Sequence, residues 1–202
     1  MIQTISKLIN FDQFLEWKPE NGQYELHRGV VVEMPNPMGK HSAIAGFLTI
    51  ELGLEIRRLQ LPYMIPKECT IKFSDNSGYN PDLIILDRQA AVANESRWEK
   101  ASVITQGDSI KLVIEVVSTN WRDDYAHKMI DYEALGIAEY WIVDYLGLGG
   151  SRYIGSPKQP TLSVYNLIDG EYQIQLFREN ERVESVVFPE LNVTAGQIFN
   201  GE

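Results

Sequence analysis

Two carboxylates stand where an unpaired charge is expensive. Asp82 follows Pro81 at the head of an apolar run, NPDLIILD, and Glu115 is set inside a second, KLVIEVVSTN. Both runs read as buried strands, in which a charge has to be compensated. One divalent cation held between neighbouring strands would compensate both, because hard cations take carboxylate oxygens and offset their mutual repulsion. Such an ion lowers the pKa of a coordinated water and stabilises charge on a phosphate in the transition state. That is the chemistry of phosphodiester hydrolysis. Simpler readings compete with it: Asp82 as an exposed strand-start residue, and Glu115 as half of a structural ion pair, with Lys128 as its partner.

The elements that must position these groups follow from periodicity. Side chains two apart on a strand share a face, so Val113, Glu115 and Val117 point one way while Ile114 and Val116 point the other. Strands are expected over 63–73, 82–86 and 111–117, with a turn at SDNSG and a polar, partly helical insertion over 88–108. Trp121 to Leu135 has helical spacing and stops at Gly136, before a strand EYWIVD. Strand, helix, strand in that order predicts a parallel pair with a right-handed crossover. Within the helix, Asp124 and Lys128 share a face with the acidic residue N-terminal, the better order for a pair.

Upstream, Asn10 can cap a short helix ending at Lys18, because Pro19 disfavours further helix before it. Tyr24–Leu26 and Val30–Met34 read as a hairpin turned at Gly29, in which Glu25 and Glu33 alternate with apolar residues as on a solvated face. From His41 to Leu59 the apolar residues recur at three- and four-residue steps, giving the longest amphipathic helix, closed by Arg57 and Arg58. After Asp144 the stretch LGLGGSRYIGSPKQP is too irregular for a phosphate-binding fingerprint and reads as a connector. A hairpin over 161–177, a third strand at 183–188 and a closing helical turn TAGQIF complete the chain. Tyr140 and Trp141 are expected in the core or an interface.

Composition sets the outer bounds. With 202 residues and 44% apolar content, one domain spanning the chain is the expectation, with a core over about 24–145 and a C-terminal β extension over about 160–200. Eighteen basic against twenty-eight acidic side chains give a net charge of -10, which argues against polyanion binding driven by overall charge. Local cationic contacts are then needed, and the candidates are Arg57 with Arg58, Arg97 with Lys100, and Arg122 with Lys128. Cys69 is the single cysteine, which points to a reducing compartment. The start, MIQTISKLINF, has no apolar core of signal-peptide length and no run approaches a membrane span, so a cytoplasmic, non-membrane protein is expected.

Taken in order, YEL with Gly29, His41 opening the long helix, NPDLIILD, LVIEVVS and DYAHKMIDYEALGIAEYWIVD resemble the PD-(D/E)xK nuclease superfamily. The resemblance is closer to its Uma-type branch of restriction-endonuclease-like proteins, and spans most of the chain from Tyr24 onward. It implies an α/β (α+β) restriction-endonuclease-like fold: a mixed central sheet flanked by helices, with an N-terminal hairpin and a C-terminal β-hairpin extension. It further implies a metal-dependent endonuclease acting on DNA with Mg2+ or Mn2+. Asp82 and Glu115 are the metal ligands in that reading, with Lys128 and His41 as further catalytic residues.

In one respect the chain departs from the superfamily pattern. The lysine expected two residues after the Glu, on the same strand face, is replaced by Val117. The Uma-type pattern carries a lysine on the following helix, and Lys128 matches it, so its amine could reach back to orient water or a phosphate oxygen. Lys111 shares the face of Glu115, but four residues along a strand is ~13 Å, too far for that role. Two alternatives stay open beside the enzyme: a nuclease-fold binding or regulatory module, and a homodimer formed through the sheet edge or the C-terminal strands.

Overall fold

The computed structural model describes residues 8–19 and 21–202. Helix α1 (Phe11–Trp17) begins in a reciprocal capping box, in which Asn10 accepts from the Gln13 amide and the Gln13 side chain accepts from that of Asn10. Phe11 and Phe14 of α1 cover a small apolar cluster with Tyr24, Leu26 and Val103. The hairpin of β1 (Gln23–His27) and β2 (Val30–Met34) turns through Arg28 and Gly29, both at positive φ, as a two-residue connection between twisted strands favours. Helix α2 (Gly39–Arg58) buries His41, Ile44, Leu48 and Leu52 along one side.

The strand expected over 63–73 is two strands in two different sheets. Pro66 cannot donate to a ladder, and the chain breaks there into β3 (Tyr63–Met64) and β4 (Thr70–Ser74). After β5 (Ser77–Tyr79) and β6 (Leu83–Asp87), the polar insertion is helical in part, as α3 (Arg88–Asn94) and α4 (Trp98–Ala101), and leads through β7 (Val103–Ile104) to β8 (Ile110–Val116). A π-helical turn over Asp123–Lys128 then runs into α5 (Met129–Leu135), which ends at Gly136 in a left-handed C-cap. The regular helix expected over 121–135 is therefore widened in its first half. Beyond it lie β9 (Glu139–Asp144), α6 (Ser151–Ile154), the hairpin β10 (Thr161–Ile168) and β11 (Glu171–Phe177), and α7 (Ala195–Asn200).

These strands form two mixed sheets, β2-β1-β5-β4-β7 and β11-β10-β9-β8-β6-β3. β8 and β9 are parallel, as the crossover requires, and the C-terminal hairpin extends the same sheet antiparallel to β9. The N-terminal hairpin belongs to the five-stranded sheet through β1 and β5. Residues 183–188 are not a strand; an isolated bridge between Arg182 and Thr194 stands just before the segment, and the Val183 amide donates to the Val193 carbonyl. Side chains replace a ladder there, with Glu139 accepting from the Val187 amide and the Ser185 hydroxyl. Among the described residues no helix is long and apolar enough to cross a membrane.

The alternation along β8 decides what each side chain meets. Leu112, Ile114 and Val116 pack toward α2 with Trp141 and Val143. Val113 and Val117 pack on the opposite face with Tyr79, Tyr132 and Tyr140, and Glu115 shares that face. Tyr140 and Trp141 are both fully buried, in the core as expected. Gly107 holds the end of α5 in place, because a Cβ there would lie 2.1 Å from the Leu135 carbonyl oxygen.

Candidate active site

Adjacent antiparallel strands bring the two sequence-predicted carboxylates together. Leu83 of β6 pairs with Ile114 of β8, so the register carried one step further sets Asp82 beside Glu115. Asp82 precedes β6 at the end away from β3, which pairs only with Leu86 and Asp87, and its side chain is partly open to solvent, as expected of a strand-start residue. Its Oδ2 accepts the Val116 amide at 2.7 Å and lies 3.2 Å from His41 Nε2 in the first turn of α2. Burial disfavours a charged His41, but Asp82 more than offsets this and holds the imidazole pKa above its ordinary range. His41 Nδ1 is buried and has no hydrogen-bond partner among the described residues.

Glu115 is the deeper of the two, with its side chain 5% exposed against 27% for Asp82. Its Oε1 accepts from Lys128 Nζ at 3.0 Å and from the Tyr132 hydroxyl at 3.1 Å. The same Lys128 amine lies 3.1 Å from Glu25 Oε1, 3.7 Å from Asp124 Oδ1 and 5.8 Å from the centre of the Tyr79 ring. Lys128 does reach back to Glu115 from the helix after β8. The π-helical turn puts both Asp124 and Lys128 on its inner side, a local widening that often marks functional sites. Lys111, by contrast, pairs with Asp87 at 3.4 Å, away from this cluster.

Glu25 corrects the reading of the hairpin. It is fully buried rather than on a solvated face, whereas Glu33 is exposed. Its carboxylate accepts from the Asn80 amide at 2.9 Å and meets His27 Nε2 at 2.7 Å, besides Lys128. β1 pairs with β5, and that pairing turns Glu25 inward toward the segment leading into β6. Burial opposes its charge, but Lys128, His27 and the Asn80 amide together hold its pKa below the usual carboxylate range. Tyr132, Glu25 and Asp124 are members of the cluster that residue types and spacing did not single out as site residues; spacing gives Asp124 only as a helical partner of Lys128.

Four carboxyl groups are thus met by one lysine amine and two histidines, His41 at Asp82 and His27 at Glu25. Burial, with repulsion from Asp124, Asp82 and Glu25, pushes Glu115 well above the usual carboxylate range. Burial likewise pushes Asp124 up to about 7, and its side chain accepts no hydrogen bond among the described residues. Burial also opposes charge on Lys128, but Glu115, Glu25 and Asp124 outweigh it and hold the amine protonated. Because Asp124 is raised, the stability tied to its neutral form is present at low pH and is lost as pH rises through about 7. Raised His41 acts in the same direction, while depressed Glu25 loses its contribution only on acidification below the usual carboxylate range. The metal-free protein, kept in chelator, should therefore melt at lower temperature at about pH 8 than at about pH 5, and Asp124→Asn should flatten that slope. A melting temperature that rises across this window would contradict the assignment.

The donors fit a hard divalent cation in kind: carboxylate oxygens on two neighbouring strands, under repulsion that one amine only partly offsets. Among the described residues, no group of three or more His, Cys, Asp or Glu side chains is arranged to hold a metal ion by itself. Asp82 and Glu115 alone would hold one as Mg2+ is commonly held, by one or two carboxylates with water and substrate phosphate completing the shell.

Comparison with known proteins follows the same line. A family model described as "Uma2: Putative restriction endonuclease" matches residues 11–196. The fold is similar to a crystal structure from Anabaena variabilis ATCC 29413, described as a "putative nuclease belonging to DUF820". The TM-score is 0.71 at 19% identity, over 96% of this chain and 98% of that one. Comparison with curated proteins gives no match.

Proposed function

The chain belongs to the Uma2 family of restriction-endonuclease type, and from that premise we propose that it is a divalent-metal-dependent endonuclease hydrolysing phosphodiester bonds in DNA. One observation carries the reading. A buried lysine amine is hydrogen-bonded to Glu115, whose strand neighbour Asp82 opens to solvent, within a cluster that gathers four carboxyl groups. Asp82 and Glu115 would hold Mg2+ or Mn2+, and the bound ion would supply an activated water and offset charge on the phosphoryl oxygens.

The chain's own groups then divide the remaining work. Lys128, held from three sides by Glu115, Glu25 and Asp124, donates a hydrogen bond to the attacking water or to a phosphoryl oxygen, where preorganised charge counts most. Glu25 acts through Lys128 and is a positioning residue. His41 orients Asp82 through their contact, and Asp82 in turn favours its charged form, which would add positive charge at the mouth of the site. Val117, 1% exposed among tyrosines, leaves no polar group at the strand position where the superfamily lysine stands. That absence favours the competing reading, a nuclease-fold module without turnover.

Incubation of supercoiled plasmid DNA with the protein and Mg2+ or Mn2+ separates the two. Nicking or linearisation is expected with the wild type and not with Asp82→Ala or in excess chelator. Cleavage that persists unchanged in Asp82→Ala overturns the site assignment. Saturable, Asp82-dependent Mn2+ binding in calorimetry without cleavage favours the binding module.

A further inference from the structure

The glycine-rich segment after β9 forms one wall of a cationic and aromatic patch beside the carboxylate cluster. β8 and β9 are parallel, so the segments that follow them leave the sheet at the same edge, where open α/β sheets commonly bind ligands. The first segment carries Trp121 and Arg122, and the second carries Arg152, Tyr153 and Lys158. The Arg122 guanidinium lies 4.6 Å over the Trp121 ring, that of Arg152 lies 4.5 Å over Tyr153, and the Lys158 amine is 5.9 Å from the centre of Trp121. Trp121 and Tyr153 are 6.4 Å apart, and Tyr153 stacks at 4.9 Å on buried Tyr125, the neighbour of Asp124. Gly150 lets the second segment close on the indole, since a Cβ there would stand 3.2 Å from its ring.

Among the described residues, pairing removes one cation from each of the other basic candidate pairs, leaving Arg57 and Lys100 as single charges, whereas this patch keeps three together. Arg58 is paired with Glu55 and Glu190, Arg97 with Asp12, Lys72 with Asp75 and Lys111 with Asp87. Arg122, Arg152 and Lys158 are exposed, and among the described residues none forms an ion pair with a carboxylate. In a chain of net charge -10 they gather positive charge around Trp121 and Tyr153, and Tyr153 stacks on Tyr125, the neighbour of Asp124. Arg152 donates to the Tyr153 hydroxyl and Lys158 to the Leu148 carbonyl, which holds both cations at the aromatic wall. Their remaining N–H groups can meet phosphate, while the guanidinium planes can stack with a base. Three cations suit a short single strand, and stacking is available only to unpaired bases.

We infer that the patch of Trp121, Arg122, Arg152, Tyr153 and Lys158 binds a single-stranded tract of DNA flanking the scissile phosphate. The substrate class is then DNA with an unpaired tail, flap or gap rather than continuous duplex. The inference rests on the nuclease reading for the identity of the strand, but its test does not depend on turnover.

Fluorescence anisotropy in chelator reads binding alone, using a labelled duplex with an oligothymidine tail and the same duplex blunt. The tailed probe should bind roughly tenfold more tightly than the blunt one. The surface variant Arg122→Ala/Arg152→Ala/Lys158→Ala should lose that preference, and its log K against log salt slope should shrink by about 2, from roughly 0.7 for each of three phosphate contacts. Arg57→Ala/Arg58→Ala, on the far end of α2, should retain it. Equal binding of the two probes by the wild type, or an unchanged preference in the triple variant, overturns the inference. Tail binding that depends on the patch, in a protein that cleaves no DNA, supports the patch and refutes the nuclease reading. Cleavage with no tail preference does the reverse.

Discussion

Lys128→Met should lose roughly 3–5 kcal/mol of stability in chemical denaturation of the metal-free protein, because it leaves buried carboxylates without their counter-charge. The amine is within 4 Å of Glu25, Glu115 and Asp124, and all three residues are buried. Methionine fills a similar volume, so the loss reports charge rather than a cavity. Two further readings separate a site from a mere ion pair. Excess Mn2+ should raise the melting temperature of the variant more than that of the wild type, since a bound cation replaces part of the missing charge. Cleavage at saturating Mn2+ should still fall by about two to three orders of magnitude, the usual effect of removing a preorganised donor from the reacting group. A stability loss below about 1 kcal/mol would show that Lys128 does not hold the cluster together.

Glu115→Gln should do the opposite, sparing the fold and removing the chemistry. Burial and three neighbouring carboxylates already disfavour the charged form of Glu115, so a neutral amide of the same shape relieves repulsion. Lys128 keeps Glu25 at 3.1 Å and Asp124 at 3.7 Å, and the amide oxygen can still accept from Tyr132. The change in unfolding free energy should therefore stay within about 1 kcal/mol of zero. Cleavage should fall by about three orders of magnitude or more, as expected when a ligand of the catalytic ion is lost. Full activity in a well-folded Glu115→Gln protein would remove Glu115 from the metal site.

The two variants together divide architecture from catalysis within one cluster. Lys128 is expected to matter to both, and Glu115 to catalysis almost alone. The difference follows from the excess of carboxylates over cations: removing one acid eases the imbalance, whereas removing the amine worsens it.

Much of this cluster was legible before any coordinates. Asp82 and Glu115 stood out because each interrupts an apolar run, and a charge inside such a run is visible as a local contradiction. Strand alternation placed Glu115 on the face of Val113 and Val117, and that is the face it occupies. The order of strand, helix and strand over 111–144 required β8 and β9 to be parallel, and they are. Glu25 escaped the same reasoning. Its neighbours in β1 alternate as they would on a half-solvated hairpin, and only the motif YEL, noted for its resemblance, marked the position. Pairing of β1 with β5 brings the Asn80 amide and the Lys128 amine onto its carboxylate, which a window of local sequence does not contain.

The sequence by itself determined the periodicity of each segment, the breaks at proline and glycine, and the two charges whose burial demands a partner. Those properties depend on neighbours a few residues away, which the chain carries in order. The tertiary structure alone decided that α2 delivers His41 to Asp82, that the π-helical turn delivers Lys128 and Asp124 to Glu115, and that a connector becomes an aromatic wall. Each of these joins segments remote in sequence, and such contacts are selected by which sheet faces and helix sides can be buried together. Local pattern states what each segment needs; packing of all of them at once chooses its partner.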